Sequence, residues 1–349
     1  MSAPDLRSQA VPRPFLPRRA VPVVLGLLLL GACALSLGMG SVVISPSEVW
    51  FAFLHRIGLD IGAEPSFRAD AVLWDIRLPR ILLGLLVGAA LAVTGAVLQG
   101  LYRNQLADPH LLGIGPGAAL GGALGSISGG VQGAIAGATA AAIATALITR
   151  RLGATRSLDP SRFILTGVAL GAALTAWVGF IVFASDSTKV PPIQFWLLGS
   201  LTGSTWRALV TVAVIVGVGL SGLFFASRIL DLFALGESEA RHLGVDVDLA
   251  TATIVMAVGA IVGATVGAVG VVVFVGLLVP HIVRRFTGPA HKPLLVSSAL
   301  GGGLFVVLAD LLARTLADPV DIPVGLLTAA VGGPFFLWLI RKPPRGEPT

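Results

Sequence analysis

Apolar residues run along this chain in blocks too long for the core of a soluble domain. Stretches without a formally charged side chain cover 20–47, 81–102, 111–149, 163–185, 208–227, 249–283, 293–309 and 322–340. At about 1.5 Å of rise per residue, about 20 residues cross a hydrocarbon layer of about 30 Å. The blocks 111–149 and 249–283 are too long for one crossing. Each holds a run of small residues that breaks it, Ser126-Ile127-Ser128-Gly129-Gly130 and Gly267-Ala268-Val269-Gly270. Splitting both predicts helices near 21–40, 80–102, 111–127, 131–150, 162–184, 207–226, 249–266, 270–285, 293–313 and 323–341. The fold class is therefore all-α, a polytopic membrane protein with ten transmembrane helices. Residues 193–201, Ile193 to Leu201, are apolar but too short to span. Their free backbone ends need protein or a cavity around them, which suggests a re-entrant half-helix; the other reading is an interfacial helix anchored by Trp196 and Trp206.

Composition agrees with the pattern. Hydrophobic residues make up 55% of the chain and charged ones 12%, against about 25% charged in a soluble domain. The 44 glycines suit helices packed closely in lipid, where small residues let backbones approach. Lysine and arginine then set the orientation. With the N-terminus inside, 17 of the 24 basic residues fall in inside segments and 7 outside. The positive-inside rule favours both termini in the cytoplasm. Residues 1–19 and 343–349 read as cytoplasmic tails flanking a permease domain at 20–342. The basic residues are scattered rather than patched, which argues against nucleic acid as a partner. Cys33 is the one cysteine, so no intrachain disulfide forms. Arg18-Arg19 and the run to Leu30-Gly31-Ala32-Cys33 have the outline of a lipoprotein signal; on so apolar a chain Cys33 reads as packing inside a helix.

Three polar stretches interrupt the blocks. Glu48 to Asp75 is an outside loop with a short surface helix near 46–57, and its His55 has no evident metal-binding partners. Asp186 to Trp206 holds the short apolar segment. The loop 228–248 suits two short helices hinged at Gly236. Asp231 can cap the first, and Glu237 and Glu239 complement the dipole of the second. Leu232, Phe233 and Leu235 would be exposed there unless a cytosolic partner covers them.

Several motifs in order carry a resemblance. They are Arg77-Leu78-Pro79-Arg80, Gly95-Ala96-Val97-Leu98-Gln99-Gly100, Leu106-Ala107-Asp108-Pro109 with Leu112-Gly113, and Phe195-Trp196-Leu197-Leu198-Gly199-Ser200. Leu235-Gly236-Glu237 with Ala240 and Leu243-Gly244 follows, then Phe274-Val275-Gly276-Leu277 through Pro280-His281. Leu308-Ala309-Asp310 with Ala313-Arg314, and Pro323-Val324-Gly325 through Gly333-Pro334-Phe335-Phe336, complete the set. From about 45 to 342 the chain resembles the FecCD/BtuC-like permease family, the transmembrane subunits of type II ATP-binding-cassette (ABC) importers for ferric siderophores, haem or vitamin B12. Gln105 departs from the family, which usually has proline there.

The resemblance implies a pathway at the axis of a homodimer in a bacterial inner membrane, among lipid. Two ATPase subunits would bind below and a substrate-binding protein above. It implies docking of that protein through Arg77, Arg80 and Arg314. ATPase coupling falls to Leu232, Phe233, Leu235, Gly236, Glu237, Ala240, Arg241, Leu243 and Gly244. Thr166, Thr175, Ser185, Phe195, Trp196 and Ser200 are candidates for the pathway or gate. The only lysines are Lys189, Lys292 and Lys342, and no Gly-x-x-x-x-Gly-Lys-Ser/Thr loop occurs. The chain therefore reads as a transporter subunit rather than an enzyme, with ATP and Mg held by the partner and no cofactor or metal bound here. The sparse metal-ligand chemistry of the blocks suits cargo that arrives already coordinated: a ferric siderophore first, haem next, with vitamin B12 as the alternative. An ion-gradient-driven transporter would want ionisable groups near the midplane. Asp310 is the chief candidate, and an ion pair with Arg314 four residues on is the simpler reading.

Overall fold

The computed structural model describes residues 17–40, 44–56, 58–59, 67–153, 160–185, 190–316 and 320–341. Its helices are α1 (Ala20–Gly38), α2 (Pro46–Arg56), α3 (Phe67–Ala71), α4 (Leu78–Leu101), α5 (Ile114–Gly153), α6 (Pro160–Ala184) and α7 (Val190–Leu197). They continue as α8 (Trp206–Phe225), α9 (Ser227–Leu235), α10 (Glu237–His242), α11 (Val247–Val269), α12 (Val275–Thr287), α13 (His291–Ala313) and α14 (Val324–Ile340). Among the described residues seven helical stretches are long and apolar enough to cross a membrane, and Ile114–Ile127 and Val324–Leu339 are shorter apolar helices. Helix lies on each of the ten segments expected from the sequence.

The breaks follow from glycine. Within α5, Gly130 sits at φ 54° and ψ −141° and divides the helix in two, where Ser126–Gly130 predicts a break. Gly270, at φ 75°, ends α11. Beyond it the chain departs from expectation. Residues 270–274 are not helical and α12 starts only at Val275, so the helix expected at 270–285 has 13 residues and a length of about 20 Å. Phe274 occupies the left-handed region at φ 66° just before it.

The outside loop is also more helical than its polarity suggests. Ser45 and Glu48 form a capping box at the start of α2: the Ser45 N–H donates to Glu48 Oε2 at 2.9 Å and the Glu48 N–H donates to Ser45 Oγ at 3.2 Å. Before α4, residues Val72–Arg77 form a π-helical stretch in which the Leu78 N–H reaches Leu73 O. Pro79 at the start of α4 has no N–H to continue an ordinary ladder, and the wider turn delivers the chain into it.

α4 is the centre of the bundle. The stretch containing it is 83% buried inside the protein, against 17% for α6. It packs along α13 and against α12, α11 and α8. Glycine makes this possible: a Cβ on Gly88 would lie 2.1 Å from Gly302 O, and one on Gly95 would lie 2.0 Å from Gly276 O. Lipid offers no hydrophobic drive between helices, so such close backbone contact supplies the van der Waals attraction.

Candidate functional site at the two ends of the bundle

The outer end is built around Arg80. Its Nε donates to Asp310 Oδ1 and Oδ2 at 2.9 and 3.1 Å, and its Nη1 to Asp321 Oδ2 at 2.8 Å. Thr202 Oγ1 donates to the same Asp321 oxygen at 2.9 Å. One guanidinium thus joins α4, α13, the chain before α14 and the loop after α7. Arg314 donates to the Ser36 carbonyl and hydroxyl, and Arg77 to the Leu37 carbonyl. Both arginines cover the C-terminal end of α1, where unsatisfied carbonyls and the helix dipole favour a cation.

The sequence expectation of exposed docking charges is therefore revised in its geometry. Arg77, Arg80 and Arg314 are 3%, 8% and 7% exposed. The reason is that α1, α4 and α13 end together and their terminal carbonyls and Asp310 draw the guanidinium groups inward. Asp310 forms the expected ion pair with Arg314, whose Nε stands 3.7 Å off, but its closest partner is Arg80, 230 residues away. The three arginines still line a cavity of about 480 Å³ with Asp75, Asp321 and Thr202. Burial would raise the Asp321 carboxyl, but Arg80 and the Thr202 hydroxyl outweigh it and hold Asp321 below its ordinary value.

The opposite end, expected on the cytoplasmic side, has the two predicted helices. α9 and α10 meet at Gly236, at φ 131° and ψ 156°, a conformation that only glycine adopts without strain. Glu237 and Glu239 lie in the first turn of α10. Leu235 and Leu243 are 65% and 61% exposed, whereas Phe233 is 2% exposed. Phe233 belongs with Leu230 to the main core, because the apolar face of the amphipathic helix α9 turns toward α4 and α13. Leu232 is partly buried against the same core and Ala240 is buried. The exposed apolar face expected of Leu232, Phe233 and Leu235 is thus reduced to Leu235, joined by Leu243.

Two carboxylates tie this loop to the bundle. Asp248 accepts from Arg241 of α10 at 3.1 Å and stands 3.5 Å from Arg150 at the end of α5. Asp231, expected to cap α9, instead accepts from the His291 N–H at 3.0 Å and lies 2.7 Å from His291 Nδ1. It serves the start of α13, whose first N–H groups have no partner in the helix.

The candidate pathway residues scatter. Thr175 of α6 lines a cavity of about 280 Å³ with His110, Pro116, Leu197 and Val271. Trp196 lines a separate cavity of about 250 Å³ with Ser126, Gly130 and Ile193. Ser200 is fixed by its N–H to Val269 O at 2.8 Å. Thr166 and Ser185 lie toward opposite ends of α6, and Phe195 is exposed. The hydroxyls of Thr175 and Ser185 donate back to Gly171 O and Ile181 O. The end of α7 rests on protein: a Cβ on Gly270 would meet Trp196 O at 1.8 Å, and Gly325 donates to Gly199 O at 3.1 Å. Sequence reasoning missed His110 and Val271, which reach the Thr175 cavity from loops far apart in the chain; the only local signal was the break after α11. Among the described residues no group of three His, Cys, Asp or Glu side chains could hold a metal ion.

Comparison with known proteins gives the context. The model of the FecCD transport family matches residues 27–342. The hemin transport system permease HmuU of Yersinia pestis is 38% identical over 334 residues, 92% of this chain and 96% of the relative. The vitamin B12 import system permease BtuC of Vibrio vulnificus is 35% identical over 328 residues, covering 93% and 94%. A solved structure described as an inward-facing metal-chelate type ABC transporter superposes with a TM-score of 0.80 at 32% identity, over 92% of this chain and 99% of that one.

Proposed function

The chain belongs to the FecCD transport family, as a permease subunit of a type II ABC importer, and on that premise we propose that it carries an iron chelate across the cytoplasmic membrane of a bacterium. Ferric siderophore and haem are the two cargoes in view. The observation that carries the reading is the lining of the cavities along α5, α6 and α7. It is mostly apolar, with one histidine and two hydroxyls, those of Ser126 and Thr175, so the metal travels inside its chelator rather than from ligand to ligand along the protein. Haem is favoured further by the HmuU relative and cobalamin by the BtuC relatives; cobalamin is the second reading.

The exposed Leu235 and Leu243 on α9 and α10 support an ATPase subunit docking on the cytoplasmic side. A second copy of the chain would cover the apolar face of α6, where Trp177, Phe180 and Phe183 are exposed. The excess of basic residues inside supports both termini in the cytoplasm. The outer cavity floored by Arg77, Arg80 and Arg314 is the surface proposed for a substrate-binding protein, which would insert an acidic side chain into it. If so, its affinity for the permease falls as salt rises; affinity independent of salt argues for another surface.

The cargo test is direct. The cognate binding protein is purified from growth medium and its retained ligand identified by mass spectrometry and metal analysis. Iron with a siderophore or porphyrin supports the proposal. A cobalt corrinoid transfers the assignment to the second reading.

A further inference from the structure

We propose that Asp231 and His291 form the joint through which motion of the cytoplasmic loop reaches the central helices; the proposal rests on the importer reading above. Asp231 lies in the middle of α9 with its side chain 45% exposed, and His291 opens α13 with its side chain 4% exposed. One carboxylate oxygen, Oδ1, takes both the backbone N–H and the ring Nδ1 of His291, at 3.0 and 2.7 Å. The other ring nitrogen, Nε2, is buried without a hydrogen-bond partner. It faces Gly100 near the end of α4, so closely that a Cβ there would lie 2.2 Å from it.

The imidazole is therefore a wedge. One side of it is fixed to α9 by the hydrogen bond of its Nδ1, beside a second bond to the same oxygen from the backbone N–H that starts α13. Its other side rests on α4 where glycine leaves room for nothing else. A displacement of α9 must either carry the start of α13 with it or strand a buried ring and an unpaired N–H, and a buried polar group without a partner is costly. Carrying α13 is the easier course. α13 then meets α4 again at Gly88 and Gly302, and at its far end holds Arg80 through Asp310. The second tie of the loop, Asp248 with Arg150 and Arg241, is exposed on its carboxylate side and transmits less, because an exposed ion pair yields to water. Asp231 and His291 are thus positioning residues, acting through helices α13 and α4.

The test compares Asp231→Ala with Asp231→Asn in the complete transporter, with its cognate ATPase and binding protein, reconstituted in liposomes. Asn keeps an oxygen that can accept both hydrogen bonds; Ala keeps none. Ferrichrome, haemin and cobalamin are supplied as probes, and molecules imported per ATP hydrolysed are counted for whichever is taken up. The expected result is a fall of about 10-fold or more in that ratio for Asp231→Ala, with ATP hydrolysis within about two-fold of wild type, and a ratio near wild type for Asp231→Asn. An unchanged ratio in Asp231→Ala overturns the proposal. So does an Asp231→Ala chain that fails to assemble with its ATPase while Asp231→Asn transports normally, since the pair is then an assembly anchor. If the unmodified transporter imports none of the three probes with ATP, the importer reading for these cargoes fails first, and its failure is distinct from that of the joint.

Discussion

The two ends of the bundle hold similar residues in opposite surroundings. At the outer end, arginines and aspartates are packed between helix termini: Arg80 is 8% and Asp310 2% exposed. At the cytoplasmic end Arg241 and Asp248 present side chains that are 52% and 73% exposed, and leucines at 235 and 243 stand in the open. The outer charges are shut in between helix ends, where they pair with one another and with the end of α1. The inner pair and the leucines near it lie open. A closed network holds several helices in one arrangement, and an open apolar surface leaves room for a partner.

Removing one member of the outer network should have the largest effect. Asp310→Ala leaves Arg80 with Asp321 alone and takes the nearest acid from Arg314. Breaking a buried pair in this way costs about 3–5 kcal/mol, read as a large drop in the unfolding midpoint of the detergent-purified protein. An Asp310→Ala protein as stable as wild type would erase the contrast. Leu235→Asp comes next. It places a charge on the exposed leucine of α9, and uptake should fall about 10-fold or more, equivalent to about 1.4 kcal/mol, with loss of ATPase association or of its coupling and little change in thermal stability. Normal assembly and uptake would make the loop a merely solvated one.

Strong acid should loosen the outer end. The Asp321 carboxyl is held below its ordinary value of 3.8. A depressed carboxyl stabilises the folded state fully above its unfolded value, and that contribution is lost as pH falls through the folded value. Asp321→Asn should therefore flatten the stability profile below about pH 4 while leaving it parallel to wild type at neutral pH. An unchanged acid limb would mean the Arg80–Asp321 contact contributes nothing. The smallest effect belongs to Arg241→Ala. Its exposed pair with Asp248 is worth about 0–1 kcal/mol, and a larger loss of stability would show that the inner end is as closed as the outer.

Local features of this architecture were legible in the residues. Charge-free runs locate the helices, small-residue clusters mark the breaks at Gly130 and Gly270, and Gly236 marks the hinge of the loop. What the sequence concealed depends on contacts between distant segments. Arginines at the ends of apolar runs look like surface charges, and nothing near them in sequence announces that α1 ends beside Arg77 and Arg314. Phe233 and Leu235 are both apolar loop residues; only the placement of α9 against α4 and α13 buries one and exposes the other. The pairing of Asp231 with His291 spans 60 residues. The non-helical chain between Gly270 and Val275 answers to close backbone packing, which a hydropathy pattern does not encode.

The central claim is that this chain moves its cargo when an ATPase works against the open cytoplasmic surface. The direct measurement is uptake of ferrichrome, haemin and cobalamin into liposomes holding the permease with its ATPase and binding protein, with and without ATP and under an imposed proton or sodium gradient. The account predicts accumulation that requires ATP and the binding protein and is indifferent to the gradient. Uptake driven by a gradient in liposomes holding this chain alone would contradict it.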